Sequence, residues 1–174
     1  GGGTPTSLSV NNVKKLFNAI HKNFTLSPTC EITLEGRVND LIPEKIEAWL
    51  KCGVNRISLG IQTFDTKIRQ QMGRIDAKEK IIEKIKLLKS FRACTLIADL
   101  MYGMPGQTKK ILLDDLRLLG ELDFDGMDLY QLNIFPGTGL EQAIKKRILP
   151  EAATTEMQAD LYVVAREYLV QQKY

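Results

Sequence analysis

The sequence contains little of what marks many catalytic and membrane proteins. Its 174 residues include one histidine, and the three cysteines, Cys30, Cys52 and Cys94, lie far apart without a metal-ligand spacing. The apolar runs are far shorter than the ~20 residues of a membrane helix, and no basic-then-apolar leader opens the chain. A disulfide framework is therefore not expected. The cysteines are predicted to be reduced thiols in a cytoplasmic protein.

Charge and motif content exclude further classes. Lys and Arg number 24 against 21 Asp and Glu, and the net charge of +3 is too small to indicate a nucleic-acid or membrane surface. No Ser/His/Asp or Cys/His set can be assembled, and the N-terminal glycines match neither the dinucleotide-binding nor the P-loop pattern. Apolar residues make up 44% of the chain. Residues 1–174 are therefore predicted to form one globular α/β domain.

Helical and strand patterns alternate along the chain. Ser9 is a predicted N-cap for a helix from Val10 to His21. Strands are predicted over 31–35, 54–61, 95–100 and 127–133, and further helices over 44–52, 66–72, 77–91, 109–122 and 155–169. Repeated βα units require parallel strands, so a full or partial barrel and a doubly wound sheet both fit. The turn at Gly1–Thr6 is expected to follow a strand upstream of residue 1.

A polar residue stands at each predicted strand end: Glu35, Gln62, Asp99 and Asn133. In parallel α/β folds the carboxyl ends of the strands form the active-site face, so the four are expected to line one rim with Arg74 and the glycine backbone. Such groups can bind the ammonium and carboxylate of an amino acid and the hydroxyls of a ribose. Arg56 is expected on the other strand face, in a structural ion pair.

Several short motifs occur in a characteristic order. They are Gly1-Gly2-Gly3-Thr4-Pro5-Thr6, Glu31-Ile32-Thr33-Leu34-Glu35, the segment from Gly53 to Phe64, Gly73-Arg74, the segment from Asp99 to Thr108, and Pro136-Gly137-Thr138. Together they resemble the radical S-adenosylmethionine (SAM) enzymes related to oxygen-independent coproporphyrinogen III oxidase, the HemN-like family. The resemblance implies a (β/α)6 TIM-like barrel of the radical SAM type, incomplete in this chain, which supplies four of the strands.

Within that family, Glu35-Gly36-Arg37 and the segment from Asp125 to Thr138 look most like the HutW/ChuW branch. That resemblance implies anaerobic haem degradation by radical methyl transfer, with opening of the porphyrin ring and release of iron. Coproporphyrinogen III oxidase itself and a haem chaperone, which binds haem without consuming it, are the alternatives. Either enzyme implies a flavodoxin-type or other one-electron donor.

The resemblance also implies roles for single residues. Gly2 and Glu35 match positions that hold the SAM cleaved at the cluster. A second SAM would be lined by the residues at six further matching positions: Gly3, Thr4, Gln62, Arg74, Asp99 and Asn133. The family binds its [4Fe-4S] cluster through C-x-x-x-C-x-x-C upstream of the glycine motif, a spacing that this chain does not contain. The chain is therefore expected to be a fragment, without the cluster loop and a C-terminal domain, and inactive alone.

Overall fold

The computed structural model describes residues 3–92 and 94–174. Four strands form one sheet: β1 (Thr33–Gly36), β2 (Arg56–Gln62), β3 (Thr95–Tyr102) and β4 (Gly126–Gln131). They pair in the order β1-β2-β3-β4, and every pair is parallel. The predicted parallel sheet is confirmed.

Seven helices connect or flank these strands: α1 (Val10–Asn23), α2 (Pro43–Lys51), α3 (Thr66–Gln71), α4 (Lys78–Ser90), α5 (Lys109–Glu121), α6 (Gly139–Lys145) and α7 (Thr155–Gln171). Ser9 caps α1 as predicted, with its hydroxyl accepting from the Asn12 amide. Helix α6 was not predicted, although Thr138 caps it and Glu141 lies in its first turn. Among the described residues, no helix is long and apolar enough to cross a membrane.

The helices cover one face of the sheet. Ile57, Leu59 and Ile61 of β2 alternate with polar neighbours and are fully buried against this layer. The same core cluster contains residues of α1, α2, α4, α5 and α7. Because strand order follows chain order without a reversal and the helices share one face, the sheet is a segment of a barrel and not a doubly wound sheet.

Two predicted strand ends are wrong. β3 continues past Asp99 to Tyr102 because Leu100 and its successors keep pairing with β4. β4 ends at Gln131, and the Leu132 amide makes a last bond to the Tyr102 carbonyl. Asp99 therefore lies within its strand, and Asn133 lies beyond the end of its own.

Candidate functional site

The face of the sheet opposite the helices carries the polar side chains. We call it the open face and assign residues to it from the strand alternation and the parallel register. It comprises Thr33, Glu35, Arg56, Ser58, Gly60, Ile97, Asp99, Met101, Asp128 and Tyr130. None of these residues belongs to the main hydrophobic core under the helices. The open face therefore carries its polar groups outside the main core, although Ser58 and Ile97 on it are buried.

Asp99 is the half-buried carboxylate at the centre of the open face. The Ser58 hydroxyl donates to its Oδ1 at 2.7 Å. Burial raises the pKa of Asp99 above its ordinary value, and the charges of Asp128 and Glu35 raise it further, against the opposing effects of Ser58 and Arg56. Asp99 is thus a carboxylate that gains from a further hydrogen-bond donor or a nearby positive charge.

The sequence-based placement of Arg56 is wrong. Arg56 pairs in register with Thr33, and its guanidinium donates to the Thr33 hydroxyl at 3.3 Å on the open face. It lies two residues before Ser58, so strand alternation puts both side chains on one side. The expected ion pair exists with Glu31, but its atoms are 3.9 Å apart and Glu31 is largely exposed. Arg56 is the cation of the open face, and it lowers the pKa of Asp99.

Gln62 has the most unusual conformation in the site. Its φ is +70°, in the left-handed region that side chains other than glycine rarely adopt. It ends β2 at a register shift, since Gly60 pairs with Asp99 while Gln62 pairs with Leu100. A Cβ at Gly60 would lie 3.2 Å from Gln62 Nε2, so the amide lies over Gly60. The buried Oε1 has no hydrogen-bond partner among the described residues. An orphaned buried acceptor is costly, and a ligand donor would satisfy it.

Arg74 reaches the same strand from the loop after α3. Its guanidinium donates to the Gly60 carbonyl at 3.1 Å and borders a cleft of about 340 Å³ that Arg37 and Asn39 also line. Burial lowers the pKa of Arg74, and the nearby Arg37 lowers it further. Three arginines, Arg37, Arg69 and Arg74, line this cleft against one carboxylate, Asp76, and this excess of positive charge favours an anionic group such as a carboxylate.

The N-terminal loop is anchored to the end of β1. Thr6 is fully buried, and its hydroxyl donates to Asp40 at 2.8 Å while accepting from the Arg37 amide. A Cβ at Gly36 would come within 2.5 Å of the Thr6 side chain, so Gly36 permits this close approach. The anchor holds Thr6, and with it the loop that contains Gly3 and Thr4, against the carboxyl end of β1. Gly2 lies outside the described residues.

The remaining predicted site residues differ in their surroundings. Glu35 is exposed in β1 and pairs in register with Ser58, next to Asp99. Asn133 is exposed in the loop after β4, at the same edge of the sheet. The Pro136-Gly137-Thr138 motif has a local structural role, since Thr138 accepts from the Glu141 amide and the Glu141 carboxylate accepts from the Gly137 amide. Of the predicted site residues, Asn133 is thus the one whose role in the site the structure supports least.

The three cysteines do not form a cluster site. Cys30 lies in a turn before β1, Cys52 caps α2, and Cys94 precedes β3 at the amino edge of the sheet. Burial raises the pKa of the Cys94 thiol, and Asp125 raises it further. Among residues 3–92 and 94–174, no group of three or more His, Cys, Asp or Glu side chains could hold a metal. The described cysteines therefore do not fit a [4Fe-4S] cluster.

Sequence reasoning missed Ser58 and Asp128 and placed Arg56 on the wrong face of the sheet. The signal was present in β2, where Arg56, Ser58, Gly60 and Gln62 alternate with three apolar residues. A prediction based on strand ends alone does not include these polar residues within the strand. Taken together, the open face and the adjoining carboxyl edge of the sheet offer a half-buried carboxylate, an orphaned amide oxygen and a guanidinium at a cleft. This set suits a ligand with hydroxyl, amino and carboxylate groups.

Comparison with known proteins identifies a family that this chain matches. Residues 1–119 match the radical SAM superfamily. Anaerobilin synthase of Escherichia coli O157:H7 is 36% identical over 97% of this chain and 38% of its own length. The heme chaperone HemW of Bacillus subtilis (strain 168) is 31% identical over 94% of the chain and 43% of its own length.

The solved structure of coproporphyrinogen III oxidase (HemN) from Escherichia coli, described as a radical SAM enzyme, superposes with a TM-score of 0.83. The two are 22% identical, and the match covers 98% of this chain and 39% of that one. The chain thus spans less than half the length of each of these relatives. The structural likeness confirms the fold predicted from the motifs. With a family match over more than half of its residues, the chain belongs to the radical SAM superfamily.

Proposed function

We propose that the protein to which this chain belongs is a radical SAM enzyme that degrades haem anaerobically by radical methyl transfer, with ring opening and release of iron. The observation that carries the choice of substrate is the 36% identity to anaerobilin synthase over 97% of the chain. Membership of the radical SAM superfamily supplies the class of chemistry. The porphyrin and the methyl transfer are parts of the proposal.

The polar groups of the open face and of the cleft beside it are complementary to those of SAM. SAM, when bound, supplies the radical chemistry and a methyl group. Asp99 Oδ1 is already held by Ser58, so Oδ2 is left to accept from a ribose hydroxyl. The orphaned Oε1 of Gln62 accepts from an amino or hydroxyl group of the ligand. Arg74 lies at the cleft where a carboxylate would be neutralised.

Two SAM molecules are part of the proposal. Gly2 and Glu35 would hold the molecule that is cleaved, with Glu35 accepting from its ammonium group. The second molecule would be held by Gly3, Thr4, Gln62, Arg74, Asp99 and Asn133. The described cysteines do not fit the iron–sulfur cluster. No step through it is assigned to this chain. A flavodoxin-type or other one-electron donor and a cytoplasmic location stay predictions.

The test is an anaerobic incubation of the full-length protein with haem, a reductant and SAM. Loss of the Soret band together with a methylated, iron-free tetrapyrrole by mass spectrometry is the expected result. Asp99→Asn should weaken SAM binding about tenfold or more, since a charge-assisted hydrogen bond is lost. Asp160→Asn is the matched control, because it makes the same change at an exposed carboxylate of α7, outside the open face.

A haem chaperone is the second candidate, favoured by the 31% identity to HemW. Haem that stays bound and unchanged in the same incubation would support it and contradict degradation. A third candidate is coproporphyrinogen oxidation, favoured by the HemN-like motifs of the sequence. Conversion of coproporphyrinogen with haem left intact would identify that activity.

A further inference from the structure

Gln62 is held in a costly conformation by neighbours that hydrogen-bond to the residues beside it. Its φ of +70° is unfavourable for any residue with a Cβ, and its buried Oε1 has no partner among the described residues. The backbone on both sides must therefore be fixed by other contacts. Two buried charged side chains, Arg69 and Asp115, supply them.

Arg69 fixes the chain on both sides of Gln62. Its Nη1 donates to the Ile61 carbonyl at 2.7 Å and to the Thr63 carbonyl at 2.9 Å. Its Nε donates to the Asp76 carbonyl at 3.0 Å, and the residue is 2% exposed. One planar guanidinium thus bridges the backbone carbonyls of the two residues on either side of Gln62. Charged donors of this kind make strong, directional hydrogen bonds.

Asp115 fixes the next two residues from the opposite side. It lies on α5 and is 3% exposed. Its Oδ2 accepts from the Thr63 hydroxyl at 2.6 Å and its Oδ1 from the Phe64 amide at 2.9 Å. The Thr63 oxygen in turn accepts from the Asp65 amide at 3.1 Å. Both carboxylate oxygens are therefore used to shape the β2–α3 loop.

We infer that Arg69 and the Asp115–Thr63 pair are positioning residues that hold Gln62 in its left-handed conformation and direct its amide to the open face. A helix on the far side of the sheet thereby controls a group on the ligand side. Only the identity of the ligand, SAM, rests on the proposed function. The effect on Gln62 itself does not require any cofactor.

Thr63→Val tests the pair, with Thr63→Ser as its matched control. Valine keeps the volume but removes the hydroxyl, whereas serine keeps the hydroxyl. The first readout is the side-chain amide signal of Gln62 in ¹H–¹⁵N NMR, assigned by its loss in Gln62→Ala. We expect Thr63→Val to shift this signal and Thr63→Ser to restore it nearly to its original position. Asp115→Asn, which keeps one acceptor oxygen, should shift it less and serves if Thr63→Val does not fold.

The second readout is the affinity for SAM in the full-length protein under anaerobic conditions. We expect Thr63→Val and Gln62→Ala each to weaken binding about tenfold, and the double variant to weaken it no further, because both act through one amide. Thr63→Ser should stay within about twofold.

An unchanged Gln62 signal in a folded Thr63→Val protein would overturn the inference, as would full additivity in the double variant. If Gln62→Ala leaves SAM affinity unchanged while the Gln62 signal still responds to Thr63→Val, the positioning role stands. In that case the proposed cofactor contact of Gln62 is wrong.

Discussion

The two faces of the sheet are built from the same four strands but carry opposite chemistry. On the helix face, Ile57, Leu59 and Ile61 are completely buried. On the open face, Ser58 and Asp99 share a hydrogen bond beside exposed carboxylates, and the pKa of Asp99 is raised by burial and by those charges. The helix face contributes stability through apolar burial. The open face retains polar groups whose interactions a ligand can complete, and we propose that it binds the ligand.

The largest expected effect is a difference in unfolding free energy between substitutions on the two faces of the sheet. Leu59→Ala removes a fully buried side chain between the sheet and the helices and should lower the free energy of unfolding by about 2–5 kcal/mol. Asp128→Asn on the open face should change it by about 0.5 kcal/mol or less, because the residue is exposed. Urea unfolding followed by circular dichroism measures both. Equal losses in the two variants would break the comparison.

Asp115 is a buried carboxylate in the helix layer and gives the next largest effect. Burial raises its pKa to about 6, although Thr63 and Phe64 hydrogen-bond to it. The folded state therefore binds this proton more tightly than the unfolded chain, where the pKa is about 3.9. The contribution to stability is greatest below about pH 4 and falls by about 3 kcal/mol as the pH rises past 6.

Asp115→Asn should remove that part of the pH dependence. The quantity to measure is the difference in unfolding free energy between the original protein and the variant, at intervals from about pH 4 to pH 7. We expect the difference to shift in favour of the variant as the pH rises. A difference that does not change with pH would show that Asp115 titrates normally.

Most of the fold could be predicted from the sequence because the local signals for helices and strands agree with the observed order of these elements. Ser9 and Pro43 mark helix starts, and the alternation in β2 defines a buried and a polar side. The choice between a barrel segment and a doubly wound sheet needed the strand order, which no local pattern encodes. Helix α6 was missed because Thr138, its N-cap, was interpreted only as part of the Pro136-Gly137-Thr138 motif.

The site was only partly predictable. Glu35, Gln62 and Asp99 were found by their place after apolar runs, but the end of β3 was set too early because Asp99 was taken as a terminating residue. The left-handed backbone of Gln62 depends on Arg69 of α3 and Asp115 of α5, two residues on different helices. Such a tertiary constraint leaves no signal in the local pattern.

A smaller effect concerns the hydrogen bond at the centre of the open face. Ser58→Ala removes the donor to Asp99 Oδ1 and should raise the pKa of Asp99 further, because this bond stabilises the ionised carboxylate. Stability near neutral pH should fall by about 1–3 kcal/mol. A ¹³C NMR titration of the Asp99 carboxyl carbon measures the shift. Ser58→Thr, which keeps a hydroxyl, is the control, and an identical titration in both variants would contradict the contact.

The smallest effect tests which face Arg56 occupies. Arg56 lowers the pKa of Asp99 and of Tyr130 by its charge, and in both cases it is the weakest of the contributions. Arg56→Met keeps an apolar stem but removes the charge, so the pKa of Asp99 should rise slightly in the same ¹³C titration. Arg56→Lys keeps a positive charge and should stay closer to the original value. The difference between the two variants should diminish at high salt, since the pair is partly solvated. If Arg56 lay on the helix face, neither variant would move the Asp99 titration, and the open face would lack its cation.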